Sequence, residues 1–339
     1  MTESSSITHP YRKIFAPGET TEVKATTRPL VYCWQKDVVL ALNVALATRR
    51  ALLLKGEPGI GKSTIAEAAA AALNWRYYRH VVTSRTEAQD LTWRFDYVRR
   101  LADAHSSKQS GDDLDDTKYL IPGPFWWAFD PITARKKGGA HDISDPFPGN
   151  AQRNPKGAVV LIDEIDKADP AVANDLLETL GNGRFRVDGI RKPFDVEWTL
   201  SDSDGQPKEG GMLVVFTSND ERDLPPAFIR RCVVMEMKWP QTDGNEREEF
   251  NQFLRDVATE NWLRITKADP VDPHTSDAVD LINQVIKLIW EQRREHGIKG
   301  MRPPGLAEFL DALAACRELS VQPGSEIWNL LEQLVWRKQ

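Results

Sequence analysis

Gly56-Glu57-Pro58-Gly59-Ile60-Gly61-Lys62-Ser63, followed by Thr64, lies between the apolar run Ala51 to Leu54 and an alanine-rich stretch from about Gly61 to Leu73. The run is short, apolar and bounded, as a buried parallel strand is, and the stretch after it has the composition of a helix. Strand, glycine loop and helix together open an α/β nucleotide-binding sheet. Glycines let such a loop wrap a phosphate with main-chain N–H groups, and the helix N-terminus adds partial positive charge. The pattern G-x-x-x-x-G-K-[ST] directs Lys62 at the β- and γ-phosphates of ATP and the Ser63 hydroxyl at Mg²⁺. The expected nucleotide-binding residues are therefore Gly56, Glu57, Pro58, Gly59, Ile60, Gly61, Lys62, Ser63 and Thr64.

Further along, Val159-Val160-Leu161-Ile162-Asp163-Glu164 is an apolar strand ending in two acids. In enzymes with such a loop the first acid holds Mg²⁺, usually through water, and an adjacent Glu polarises the attacking water. That assigns Asp163 to the metal and Glu164 to the general base. Leu213-Val214-Val215-Phe216-Thr217-Ser218-Asn219 reads as a strand beside the one ending at Asp163. Asn219 is placed to hydrogen-bond the γ-phosphate or the attacking water, a structural cap being the plain alternative. A short helix, Pro225 to Arg231, then ends in Arg230-Arg231. A guanidinium offered from there to a neighbouring subunit's γ-phosphate would offset transition-state charge; otherwise the pair is surface charge.

The rest of the chain is arranged around these segments. Residues 1 to about 28 are polar, without sustained period, and read as an N-terminal arm. Asp37 to Arg50 carries a helical period, and Tyr77 to Val82 is a further apolar strand. Ser106 to Thr117 and Lys136 to Lys156 are polar and lack a core-forming pattern, as surface insertions do. Within 182–211, GRFRVDG, a strand around Phe194 to Leu200 and the turn-rich SDSDGQPKEGG suggest projecting hairpins. After Trp239-Pro240 helical periods dominate, in Ala278 to Trp290, Leu306 to Leu319 and Ser325 to Trp336. The expected division is an arm at 1–28, an α/β core at 29–240 with insertions near 91–157 and 182–211, and a helical lid at 241–339.

Composition sets outer limits. The chain has 339 residues, more than one hydrophobic core usually serves, so one large and one small domain are expected. With 41% hydrophobic and 28% charged residues, disorder of the whole chain is excluded. A net charge of −6 argues against a broad basic face and hence against nucleic acid as the partner. The three cysteines, Cys33, Cys232 and Cys316, are too far apart for a local metal pair and odd in number, which suits a reducing cytoplasm. The start, MTESSSITHPYRK, has no apolar core of a signal peptide, and the apolar stretch Val38 to Ala47 is too short to span a bilayer. The six histidines are scattered, and no metal site of protein ligands alone is read.

GEPGIGKST, VVLIDEIDKAD, FTSN and LPPAFIRRC, in this order and followed by helices, resemble the MoxR family of AAA+ ATPases over roughly residues 30 to 339. The resemblance implies nucleotide held between an α/β core and a helical lid, a homo-oligomeric, hexameric ring, and remodelling of a client protein. It often also implies a von Willebrand A-type adaptor, which here would sit on another chain. By this resemblance Asn219 matches sensor 1 and Arg231 the arginine finger, with Arg230 beside it where the family usually has Asp. Leu91 to Phe129, containing YLIPGPFWWAF, resembles the family's insertion in the second helix. The sensor 2 arginine falls on Arg302 in Gly300-Met301-Arg302-Pro303-Pro304, with Arg293 and Arg294 as alternatives. Asp166-Lys167 stands where Asn-Arg is common, a change near the core that leaves its acids intact.

Three segments imitate other chemistry. Thr266-Lys267-Ala268-Asp269 mimics a guanine-reading signature, but Asp163-Glu164-Ile165-Asp166 lacks the glycine of a GTPase switch, so ATP is preferred. Asp142-Ile143-Ser144-Asp145-Pro146 begins like a von Willebrand A metal site and loses its final serine to Pro146. Trp126-Trp127 suits core or interface packing better than gripping of a client. The functions that fit are an ATP-driven remodeller and, as the alternative, an ATP-controlled assembly switch that recruits an effector. A nucleic-acid translocase fits less well.

Overall fold

The computed structural model describes residues 15–24, 29–106, 115–139, 141–198, 211–240, 244–262, 272–299, 301–321, 324–325 and 328. The strands are β1 (Thr20–Lys24), β2 (Pro29–Cys33), β3 (Ala51–Gly56), β4 (Trp75–Val81), β5 (Trp93–Phe95), β6 (Leu120–Pro122), β7 (Asn154–Asp163), β8 (Arg184–Val187), β9 (Phe194–Glu197), β10 (Met212–Ser218) and β11 (Cys232–Met237). The helices are α1 (Lys36–Thr48), α2 (Lys62–Ala72), α3 (Ala88–Thr92), α4 (Tyr97–Ser106), α5 (Pro124–Phe129), α6 (Pro131–Lys136), α7 (Pro170–Asn182), α8 (Pro226–Ile229), α9 (Asn245–Asn261), α10 (Ser276–Lys299) and α11 (Leu306–Glu318).

Five strands form the central sheet in the order β11-β3-β10-β7-β4, with β10 and β4 both parallel to β7. The order skips along the chain because parallel neighbours need a crossover, which the intervening helices supply. Leu52 to Leu54, Val159 to Ile162 and Leu213 to Phe216 are buried, as continuous apolar runs in a sheet covered on both faces must be. Residue contacts divide the chain into two compact units, one containing Leu40–Leu54 and Ala72–Met235, the other Phe15–Val39, Lys55–Ala71 and the chain from Glu236. The core of the first packs Phe125, Trp126, Phe129 and Phe228 against sheet residues such as Tyr78, Val160 and Phe216. Trp126 and Trp127 are both core residues, as their apolar bulk suggested. In the second, α9, α10 and α11 are amphipathic helices whose buried faces include Leu254, Ile289 and Leu313. No described helix is long and apolar enough to cross a membrane.

Two stretches differ from the sequence reading. Thr20–Lys24, assigned there to a polar arm, is a strand paired antiparallel with Pro29–Cys33. Val23 in it and Phe15 before it are buried, and Phe15 lies 4.7 Å from Trp34 between ring centroids. Single apolar residues among polar ones gave no period to detect. The stretch from Lys136 to Lys156, taken as a surface insertion, covers the edge of β4 through its second half. The Asn150 amide accepts from Tyr77 N–H at 2.8 Å and donates to Tyr77 C=O at 3.1 Å, pairing an edge backbone that would otherwise be open. Asp145 accepts from the Tyr78 hydroxyl at 3.1 Å, so its carboxylate serves this packing. The β8–β9 hairpin forms where GRFRVDG and Phe194 suggested. Outside the described residues lie 1–14 and 25–28 of the arm, most of SDSDGQPKEGG, the Thr266-Lys267-Ala268-Asp269 segment, Gly300, and most of the helix expected from Ser325 to Trp336.

Candidate nucleotide-binding and catalytic site

The phosphate loop belongs to the second unit and is built where β3 runs into α2. Gly56 has φ of +144°, and a Cβ there would stand 2.2 Å from the Met237 carbonyl oxygen, so a side chain is excluded by backbone. Gly59 has φ of +81° and faces Gly305, whose own Cβ would stand 2.7 Å from the Gly59 carbonyl oxygen. That oxygen accepts the Leu306 N–H at 2.8 Å, and Glu308 Oε2 accepts the Gly305 N–H at 3.0 Å. These bonds satisfy orphan donors at the start of α11, so the loop itself caps that helix. The buried Lys62 donates from Nζ to Gly56 C=O at 2.6 Å and Glu57 C=O at 2.9 Å, which holds its cation across the loop.

The three arginines considered for sensor 2 separate clearly. Arg302 extends along the loop, its Nη2 3.3 Å from the position of a Cβ on Gly59 and 3.8 Å from Glu308 Oε1. Arg293 is committed elsewhere: its guanidinium donates to Glu57 Oε2 at 2.6 Å and Pro304 C=O at 2.6 Å, and lies 4.2 Å from the Trp239 ring centroid. Arg294 is exposed and lines a cleft with Arg293 and Glu57.

The acidic residues belong to the first unit. Asp163 ends β7 with its carboxylate buried; Oδ1 accepts the Thr217 hydroxyl at 2.7 Å and Oδ2 pairs with Arg79 Nη2 at 2.8 Å. Glu164 follows in the left-handed region, φ 62°, a conformation costly for a non-glycine residue and held here by its N–H donating to Thr217 Oγ1 at 2.8 Å. Its carboxylate takes two donors, Asn219 Nδ2 on Oε1 at 3.1 Å and Lys167 Nζ on Oε2 at 2.7 Å. The Glu164 carboxylate raises the Lys167 pKa through that hydrogen bond, against a smaller desolvation effect. Asp166 is buried, and its Oδ2 accepts the N–H groups of Asn219 at 3.1 Å and Glu221 at 2.9 Å, fixing the turn that carries Asn219.

Arg230 and Arg231 follow α8 and are exposed. Their turn is fastened by Arg50, whose guanidinium donates to the carbonyls of Arg230 at 2.5 Å, Arg231 at 3.2 Å and Cys232 at 2.6 Å. Sequence reasoning missed Arg50, Arg79 and the bridging role of Thr217. Arg50 read only as the last residue of a helical period, and Arg79 only as part of the strand Tyr77 to Val82. The departure at Lys167 was visible, but not that its ammonium would meet Glu164.

A glycine loop between the strand and helix of a parallel sheet, with two acids at the end of another strand, defines a P-loop nucleotide-binding fold. The profile of the AAA domain, dynein-related subfamily, matches residues 51–232, and the chain belongs to that family. Among curated proteins the mitochondrial Lon protease homolog of Yarrowia lipolytica is 24% identical over 265 residues, covering 75% of this chain and 17% of the relative. The chain thus spans less than a fifth of that protein's length. Among solved structures, a candidate ATPase from Cytophaga hutchinsonii aligns at 15% identity and TM-score 0.33 over 85% of this chain and 74% of its own. A RuvB variant from Thermotoga maritima aligns at 14% and 0.38, over 88% and 67%. At those scores neither alignment carries an argument.

Proposed function

We propose that this chain is an AAA+ ATPase of MoxR type that hydrolyses ATP at the subunit interfaces of a hexameric cytoplasmic ring and uses the cycle to remodel a client protein. The observation that carries this reading is the Glu164 carboxylate, bracketed by Asn219 and Lys167 beside the buried Asp163. A carboxylate held between two donors at the end of a strand is a general base in fixed position, and Lys167 keeps a positive charge against it. In this reading Asn219 orients the water that Glu164 activates, Lys62 with the loop amides holds the β- and γ-phosphates, and Arg302 acts as sensor 2. Arg231, with Arg230 beside it, supplies the finger to the neighbouring subunit. Asp163 and the Ser63 hydroxyl are hard oxygen donors of the kind Mg²⁺ takes together with substrate phosphates, and they would hold it. When bound, Mg²⁺ neutralises phosphate charge. The division that goes with this reading is an arm at 1–28, a core at 29–240 and a lid at 241–339, with any von Willebrand A-type adaptor on a separate chain.

Affinity capture of the Glu164→Gln chain in ATP, followed by phosphate release with and without the captured protein, tests the reading. Turnover accelerated by the captured client supports remodelling. Slow turnover indifferent to it, with strong ATP-dependent assembly, would favour the assembly switch.

A further inference from the structure

Among the described residues β4 is an edge of the central sheet, with β7 on one side and no strand on the other. Val82 N–H donates to Asp163 C=O at 2.9 Å, and in a parallel ladder alternate residues bond the same neighbour. Tyr78, His80 and Val82 therefore turn their backbone groups toward β7, and Tyr77, Arg79 and Val81 turn theirs outward. The protein covers the beginning of this outer edge itself. Arg153 Nη1 donates to Trp75 C=O at 3.0 Å, and the Asn150 amide pairs with both backbone groups of Tyr77. The N–H and C=O groups of Arg79 and Val81 have no such cover among the described residues. Both residues are exposed, and neither proline nor lysine guards the stretch; its one charge, on Arg79, is drawn to Asp163.

Beside the open stretch lies a concavity of about 400 Å³ in the same unit, formed with the β5–β6 hairpin and the turn after β4. Its apolar wall includes Val81, 46% exposed, and Ile121, 37% exposed, with Pro122 and Pro124. Burial pushes the His80 pKa down, so its ring brings no charge to this wall at neutral pH. Arg85 also lines the concavity, is exposed, and forms no ion pair among the described residues, whereas Arg94 is offset by Asp90 at 3.6 Å.

We infer that the edge from Arg79 to Val81 takes an extended peptide of a partner protein as an added strand, with an apolar side chain against Val81 and Ile121 and an acidic end near Arg85. An extended backbone supplies donors and acceptors at the spacing that alternate edge residues need. A purely apolar ligand would cover Val81 and Ile121 but leave those backbone groups unpaired, and a compact anion would meet Arg85 alone. The edge makes no use of the phosphate loop, and its test does not depend on ATP turnover.

The test uses the full chain and a fluorescein-labelled Glu-Val-Thr-Val-Glu-Val peptide, followed by anisotropy and by hydrogen exchange across β4. Saturable binding and slower exchange at Arg79 and Val81 are expected. N-methylation of one alternating set of peptide amides should weaken binding by at least about tenfold and of the other set hardly at all, because only one set faces β4. Val81→Pro removes an N–H that no ladder bond uses, and Val81→Lys keeps the backbone but sets a charge on the edge; each should weaken binding several-fold. Circular dichroism and melting curves establish which variants are folded. Absence of saturable binding, the same effect from both methylated sets, or undiminished binding by folded Val81→Lys would overturn the proposal. Dimerisation of the parent chain that Val81→Lys abolishes, without peptide binding, would overturn it in favour of edge pairing between two copies.

Discussion

Arg79 and Asp163 form an ion pair at 2.8 Å in which the arginine is 45% exposed and the aspartate side chain 7%. The partner on the solvent side is thus the cation, and the carboxylate proposed to hold Mg²⁺ is the one it covers. Removing Arg79 takes one guanidinium away from Asp163 Oδ2 and weakens the compensation of a buried charge. For Arg79→Ala we expect tighter Mg²⁺ dependence of nucleotide binding by several-fold and a stability loss of about 1–3 kcal/mol, the exposure of Arg79 moderating the second effect. Magnesium titration with a fluorescent ATP analogue and thermal melting measure the two separately. Weaker Mg²⁺ dependence would show that Arg79 orients Asp163 rather than competing for it.

Glu164→Gln keeps one acceptor oxygen, enough for either Asn219 Nδ2 or Lys167 Nζ but not both, and cannot accept a proton from water. Its turnover should fall by about 10²-fold or more while ATP affinity, measured by calorimetry, stays near that of the parent. Near-normal turnover would place the base elsewhere.

Arg231→Ala should bind ATP normally and hydrolyse it poorly. Lys62→Ala should fail to bind, because the cation across the loop is gone. Mixed together, the two should regain activity, since the second still offers its finger to the first. No recovery in mixed rings verified by native mass spectrometry counts against a finger acting between subunits. Arg50→Ala, which loosens the three carbonyls of that turn, should resemble a weak version of Arg231→Ala.

Gly305→Ala places a methyl 2.7 Å from the Gly59 carbonyl oxygen, a backbone atom that cannot turn aside. A loss of about 1–3 kcal/mol and weaker nucleotide binding are expected. Gly149→Ala, where a Cβ meets nothing within 4 Å, serves as the control and should melt near the parent temperature. Equal melting of both variants would mean that the loop and α11 part easily.

Burial pushes the thiols of Cys33 and Cys232 up to about 12 and that of Cys316 to about 11. Because the folded values lie above the unfolded ones, this contribution to stability is complete below the ordinary thiol pKa and declines as pH rises through it. Native protein should resist alkylation at pH 8, react after denaturation, and lose stability above about pH 9. Rapid alkylation of the folded chain at pH 8, read by mass spectrometry, would contradict the burial.

What the sequence made legible was whatever is local. The loop from Gly56 to Ser63, the acids after Ile162 and the polar end at Asn219 each announce themselves within a few residues, and the apolar runs around them place the strands of the sheet. The long-range bonds were not legible. Nothing near Arg79 points to Asp163, and nothing near Arg50 points to the carbonyls of Arg230 and Arg231, because each pairing exists only once the chain has crossed over between strands. Thr217 looked like an ordinary strand residue, although its hydroxyl bridges Asp163 and the Glu164 N–H. The edge-covering role of Asn150 was hidden for the same reason, in a polar stretch whose composition resembles a loop.

The hydrogen bond from the Leu306 N–H to the Gly59 carbonyl gives the molecule a built-in spectroscopic reporter. The amide proton belongs to the first residue of α11, yet its shielding and exchange rate are set by an oxygen in a loop far away in the chain. Any ligand that turns or polarises the Gly59 peptide must shift the Leu306 resonance. The occupancy of the loop can thus be followed from the other end of that bond, without a label on nucleotide or protein beyond ¹⁵N.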